Sequence, residues 1–372
     1  MAYTQTMLAA NTPTKFSLKL VKLIYNETIY PLITNTDYEG EIKNEGDRVR
    51  IRTAGKISLS TYSKGMSLVT QDLAPTSEDL IVDQYKYFKF VVDDIDKLQN
   101  DVDTMNVYAA NAKMDMSELI DTDILSYGRK NVHGLNAVGT DYSTGTAAIA
   151  ATTGVVTGTG TTFTAAMVGG FLRITGHPTD KYYLVTAFTS ATSITVTDMD
   201  GVAYTGGALA ATTYVIKAAT PLALNKTNIG QYLIQVSTVL SQATKNRTAP
   251  RWLVVNALLE GIIRQANEFI PAVDRAYNEI TRDGNIAIGK LSGFNIVFTE
   301  LVDGNNTTGY WFLAGTRDFI NFAAQIMKVS FVDQANDPNS FVSTCKGLLV
   351  YGRKVCEGNR YRGAVLRGTI AV

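Results

Sequence analysis

The sequence predicts an α+β fold, and three stretches carry that prediction. In residues 45–52, apolar Val49 and Ile51 alternate with Arg48, Arg50 and Arg52, the period of two of a half-buried strand with a basic outer face. Residues 93–127 contain no glycine or proline. Within them Leu98, Val102, Met105, Ala109, Ala112, Met116 and Leu119 recur at spacings of three and four, and Ile120, Ile124 and Tyr127 then take over. That drifting stripe is one long amphipathic helix, roughly 50 Å long at 1.5 Å per residue. Residues 139–219 carry 20 threonines and only seven charged residues, with short β-branched and aromatic runs broken by turns. This composition predicts a small all-β sandwich or barrel, inserted between helical segments.

The remaining elements follow in chain order. Residues 1–44 read as an extended arm holding a short amphipathic helix around Ser17 to Ile24, interrupted by Pro31. Such an arm would be loose in a monomer and ordered across a neighbour. The basic strand at 45–52 leads to a polar tip, Ser60 to Gly65, and a return strand at 83–92; together residues 45–92 make an extended loop. Asp93 or Asp94 caps the long helix, and Asp96, Asp101 and Asp103 favour the positive end of its dipole. Gly128 and the turn at 131–134 stop it. Strands are expected near Phe171, Tyr182, Ser193 and Thr213. Beyond Pro221 come a helix from Ile229 to Leu240, a buried strand from Arg251, and a helix capped by Asn256. Strands follow at Ile286, Phe294 to Phe298 and Tyr310 to Ala314, then a short helix from Asp318 to Met327. A strand pair, 347–351 with 361–366, closes the chain.

Composition excludes several classes. With 34 basic and 34 acidic residues among 372, the net charge points to no nucleic-acid or acidic partner. Charge is segregated all the same. Residues 72–103 hold nine acidic and three basic side chains and residues 343–372 six basic and one acidic, an asymmetry able to set register between neighbours. Cys345 and Cys356 read as reduced structural thiols of a protein made in the cytosol. No signal peptide opens the chain, and no run of about 18 apolar residues exists to span a membrane.

Catalytic patterns are missing. His133 and His177 both fall in predicted turns and read as surface residues, without a partner at metal or acid–base spacing. Ser343 and Lys346 fit an S-x-x-K pattern, but the companion motifs are absent. Gly158-Thr-Gly160 is explained by a β-turn, and the aspartates at 93–103 fail calcium-loop spacing. No enzyme activity, cofactor or metal is expected.

Taken in order, these pieces resemble the tailed-bacteriophage major capsid proteins of the Hong Kong 97 phage-type fold. Glu45-Gly-Asp-Arg-Val-Arg-Ile51 looks like the ascending strand of that family's extended loop, and residues 82–96 like the descending strand entering the spine helix. Arg251 to Asn256 and Gly289 to Val297 are similar to axial-domain pieces, and Lys346 to Arg353 to closing strands of the peripheral domain. The resemblance implies an N-terminal arm at 1–44, an extended loop at 45–92 and a peripheral domain with the spine helix at 93–138. A β domain at 139–219 is foreign to the core fold; 220–345 is mainly axial domain and 346–372 closes the peripheral domain. It further implies hexamers and pentamers of an icosahedral head around double-stranded DNA, contacted non-specifically, with portal and possibly decoration proteins as partners. Because Met1 lies directly before the arm, a separate scaffolding protein, or assembly guided by the insertion, is expected. Arg48, Arg50, Arg52 and Lys64 are the candidate inter-subunit contacts, the arginines facing acidic residues of a neighbour. A virion protein is thus expected, with an encapsulin-like shell or a carbohydrate-binding adhesion protein as alternatives.

Overall fold

A computed structural model describes residues 28–38, 48–53, 57–71, 76–93, 104–177, 181–199, 201–245, 249–266, 290–291, 293–332 and 342–370. The helix expected at Ser17 to Ile24, the strand at Ile286 and the aspartates 94, 96, 101 and 103 lie outside these residues.

The first described elements are the short helix α1 (Tyr30–Ile33) and strand β1 (Thr34–Asn35). A ribbon of β2 (Arg48–Thr53) and β3 (Thr76–Ile81) precedes β4 (Gln84–Asp93) and the 27-residue helix α2 (Thr104–Lys130). After β5 (Ala137–Val138) come eight strands: β6 (Thr140–Tyr142), β7 (Thr146–Ile149), β8 (Val155–Thr159), β9 (Phe171–Ile174), β10 (Tyr183–Ser190), β11 (Ser193–Thr197), β12 (Leu209–Thr212) and β13 (Tyr214–Thr220). The remaining strands and α-helices among the described residues are β14 (Leu222–Leu224), α3 (Ile229–Thr244), β15 (Arg251–Val255), α4 (Ala257–Gln265), β16 (Lys290–Leu291), β17 (Phe294–Phe298), β18 (Gly304–Asn305), β19 (Gly309–Thr316), β20 (Ile320–Val332), β21 (Val342–Lys354) and β22 (Gly363–Ile370).

Two compact units emerge. One contains residues 85–117 and 327–349; the other contains 26–84, 118–326 and 350–372. In the first, the strand segments lie in the order β20-β21-β4, which leaves β4 at an edge. Phe88 packs over Gly347, where a side chain would collide with its ring, and Phe90 meets Tyr108 of α2 edge-on at 6.0 Å.

The second unit is built on a mixed sheet ordered β14-β22-β19-β15-β17-β16. Its central strand β15 is buried along its whole length, so it shows no alternation. Helix α3 buries Ile229, Leu233, Val236 and Leu240 on one stripe. Asn256 accepts a hydrogen bond from the Leu259 amide at 3.0 Å, the N-cap that the sequence indicates. The Thr-rich stretch forms a separate antiparallel sheet, ordered β12-β7-β8-β11-β10-β9-β13-β6. Val156, Leu172, Ile174, Tyr183, Ile194, Val196 and Ile216 fill its own core. It shares one compact unit with the mixed sheet and does not divide from it as a body of its own.

Four expectations are corrected. The return strand of the ribbon is Thr76–Ile81, paired Arg48↔Ile81 to Thr53↔Thr76, while residues 84–93 belong to another sheet. Glu78 and Asp79 disguise that strand by their low β propensity, which the cross-strand Arg50–Asp79 pair offsets. The helix expected from Asp318 is a 3-10 turn leading into β20. Residues 319–323 are buried on both faces, and such a run gives no periodicity to separate strand from helix. Residues 347–351 and 361–366 do not pair. They lie in β21 and β22, in different sheets, because the 3-10 segment Glu357–Arg362 carries the chain between them. Finally, α2 runs through Gly128 to Lys130. A Cβ there would sit 2.7 Å from Ile320 Cδ1 and 2.9 Å from Leu313 Cδ2, so the glycine serves close helix–sheet approach and stops nothing.

Candidate assembly surfaces

In the β2–β3 ribbon, Val49 and Leu80 face the core together with Val82, Ala323 and Val350, which turns Arg48, Arg50 and Arg52 outward. Arg50 Nε donates to Asp79 Oδ1 at 2.9 Å, and Arg48 Nη1 lies 3.9 Å from Asp79 Oδ2. That hydrogen bond holds the Asp79 carboxyl below its ordinary range and raises the Arg50 guanidinium above its own. Arg52 stands opposite Ser77. The structure therefore gives Arg48 and Arg50 an acidic partner within their own ribbon, where the sequence reading looked only to a neighbour. All three stay exposed to solvent.

Beyond the ribbon, residues 57–71 are exposed throughout. Their apolar content is the surprise: Ile57, Leu59, Tyr62, Met66, Leu68 and Val69 all point to water, Leu59 at 97% and Val69 at 84% exposure. The tip read as polar, Ser60 to Gly65, is polar but for Tyr62, and exposed apolar side chains flank it on both sides. Two devices shape it. The Gln71 side-chain amide accepts from Ser58 N at 3.2 Å and donates to Ser58 O, replacing one backbone rung. At the apex Met66 N donates to Ser63 O at 3.0 Å across Lys64 and Gly65, whose φ of +86° suits glycine at that corner. Lys64 thus sits on the outermost turn.

The first unit offers an apolar groove of about 370 Å³ on the β4–β21 face, lined by Tyr87, Phe88, Lys89, Ser330, Lys346 and Leu348. Tyr85 and Tyr87 on the same edge strand are largely exposed.

The second unit holds side chains whose roles the sequence concealed. Arg367 is 1% exposed, and its guanidinium donates to the carbonyls of Ala218 (2.9 Å), Ala219 (2.8 Å) and Thr308 (3.0 Å). It lies 4.4 Å over the Trp311 ring, with Arg129 also over that ring at 4.8 Å. Burial, reinforced by Arg129, pulls its pKa down to about 10. Arg367 thereby ties the end of the Thr-rich sheet to β22. His133, expected at the surface, is buried instead: it stacks on Tyr361 at 3.9 Å and meets Tyr182 edge-on at 5.1 Å. His177 stays in a turn, between the hydroxyls of Tyr183 (3.1 Å) and Tyr204 (3.2 Å). Tyr204 donates to Gly207 O, so it accepts from Nε2–H, and Nδ1 accepts from Tyr183. Burial lowers the His177 pKa, in keeping with that neutral tautomer. Among the described residues no group of three His, Cys, Asp or Glu is placed to hold a metal, and no helix is long and apolar enough to cross a membrane.

This architecture, a long helix, a solvent-exposed loop and a mixed sheet beside an antiparallel one, is shared with solved phage structures. Mycobacterium phage Che8 superposes with a TM-score of 0.61 at 18% identity, covering 96% of this chain and 97% of that one. The capsid structure of cyanophage P-SCSP1u gives 0.60 at 11% identity, covering 98% and 94%. The capsid asymmetric unit of cyanophage Pam1 gives 0.59 at 11% identity, covering 97% of each. These likenesses establish the Hong Kong 97-type capsid fold. No curated protein matches the sequence. The sequence profile of the phage capsid protein family matches residues 179–366, half of the chain, and the chain belongs to that family. It is a structural major capsid protein of a phage head, a virion component and not an enzyme, which selects the phage-head reading over the compartment and adhesion alternatives.

Proposed function

We propose that the chain assembles into hexamers and pentamers of an icosahedral head that encloses double-stranded DNA, after synthesis in the host cytoplasm. The observation that carries this reading is the loop at 57–71, whose apolar side chains find no cover among the described residues. Soluble monomers seldom leave such a surface open, and a second copy would bury it many times over in a closed symmetric shell. DNA contact would be non-specific, consistent with a net charge of zero. Portal, scaffolding and decoration proteins are the further partners of such a head. The weakly charged Thr-rich sheet suits the outer face, where it would not compete with packaged DNA. Negative-stain microscopy of the purified full-length chain, alone and with its genomic neighbours, should show six- and five-fold capsomers or closed shells. Only monomers under every condition would sink the proposal.

Arg48, Arg50 and Arg52 are proposed to reach a neighbour as well as Asp79. Exchanging the pair, Arg50→Asp with Asp79→Arg, keeps the attraction between positions 50 and 79, at the loss of the weaker Arg48–Asp79 pair, and swaps the charges that the two positions show to a neighbour. The expected result is a normally folded subunit with at least tenfold fewer particles in sedimentation. Normal particle yield would confine the arginine to its own ribbon. Lys64, on the outermost turn, is proposed as a contact at the loop apex.

A further inference from the structure

Among the described residues the strands β2 and β3 pair only with each other, so no third strand fixes the direction of the ribbon they form. Its inner end is held by packing. Leu80 is fully buried and Val49 nearly so, against Val82, Ala323 and Val350. Strand β21 approaches there so closely that a side chain at Gly352 would collide with Ile81 O. Such an apolar row acts as a fulcrum: burial is non-directional and does little to set an angle.

Glu78 lies two residues farther out on the face of Leu80, about 7 Å along the strand. Its side chain is half-buried and leaves the ribbon altogether. Both carboxylate oxygens accept from the Glu357 amide, Oε1 at 2.9 Å and Oε2 at 3.2 Å. Glu357 opens the 3-10 segment Glu357–Arg362, and Cys356 before it supplies no side-chain acceptor, so β3 satisfies an amide that the segment leaves open. Glutamate is a poor strand former, and this reach explains its place in β3. Farther out the ribbon stands alone. Among the described residues, none of 50–53, 57–71 and 76–77 makes a hydrogen bond or ion pair outside the ribbon and its loop.

We propose that Glu78 is a positioning residue for assembly: its bond to the Glu357 amide sets the angle at which the ribbon presents the 57–71 loop to a neighbouring subunit. This role rests on the reading that the loop docks on a neighbour. Fulcrum and tether together define a direction, and neither does so alone. Without the carboxylate the Glu357 amide turns to water and the subunit stays folded. The loop then samples a range of directions, and fewer encounters with a neighbour are productive.

Thr53, on the outermost rung of the ribbon, and Lys226, beside α3, are both exposed, while both native cysteines are buried. Thr53→Cys with Lys226→Cys therefore accepts a pair of spin labels, whose separation is read by pulsed electron resonance in the full-length, unassembled subunit. The expected result is a narrow distance distribution in the parent and a broad one in Glu78→Ala. Glu78→Gln, which keeps an acceptor oxygen without the charge, should narrow it again. Hydrogen exchange at the Glu357 amide should quicken roughly tenfold in Glu78→Ala. Particle yield under assembly conditions should fall in Glu78→Ala and return in Glu78→Gln. An alanine variant as narrow as the parent overturns the tether, and so does a glutamine variant as broad as the alanine. Normal particle yield from a broadened Glu78→Ala overturns its role in assembly. If the parent itself forms no particles, loop docking fails and the assembly role with it, while the label distances still decide whether Glu78 sets the angle of the ribbon.

Discussion

Arg367→Ala should destabilise the subunit by about 3 kcal/mol, the largest loss expected from a single charged side chain here. The guanidinium satisfies carbonyls of Ala218, Ala219 and Thr308 that have little access to water, and it covers Trp311. Removing it orphans those oxygens and opens a void beside the indole. Ala218 makes the site more demanding, because it holds φ at +49° and its amide donates to Asp141 Oδ1 at 3.2 Å. Arg367→Lys keeps the charge but not the fork, and should recover less than half of the loss. Urea unfolding monitored by circular dichroism measures both. A loss below about 0.5 kcal/mol for the alanine variant would show that the carbonyls find water, and that the link between Thr-rich sheet and β22 rests on packing alone.

Changing Leu59, Leu68 and Val69 together to serine should leave the free subunit's stability within about 0.5 kcal/mol, because these side chains touch little among the described residues. Particle formation should nevertheless be abolished. If each copy buries three such side chains on a neighbour, the contribution lost per contact is about 5–9 kcal/mol at some 1.5–3 kcal/mol per side chain. Light scattering and negative-stain images would report it. Shells of normal yield from the triple variant would show that the loop remains wet in the assembled state and that other surfaces close the head.

Both predictions rest on features the sequence showed unequally. The ribbon strand was legible because Val49 and Ile51 alternate with arginines, and α2 because Met116, Ile120 and Ile124 keep helical spacing; all three of these helix residues are buried or nearly so. The Asn256 cap was legible because capping is local chemistry. What failed was what depends on partners distant in the chain. Nothing around Arg367 distinguishes it from the other basic residues of 343–372, and its carbonyl ligands lie 59 to 149 residues away. His133 looked like a turn residue until the 360–361 segment closed over it. The hydrophobic surface beside the polar tip was missed for a different reason. The serines and threonines between Ile57 and Val69 dominate its composition, but Leu59 and Leu68 dominate its surface.

The Trp311 cluster also determines what can be seen by eye of light. The chain has two tryptophans, Trp252 and Trp311, and both are almost fully buried in neighbouring strands of the mixed sheet. The loop at 57–71 and the Tyr87–Leu348 groove contain none. Indole emission is therefore a gauge of the mixed sheet and silent about loop seating, whereas the exposed tyrosines 62, 85 and 87 sit on the surfaces that would change. A subunit that associates without shifting its tryptophan spectrum has docked; one whose spectrum moves to the red has begun to open around Trp311.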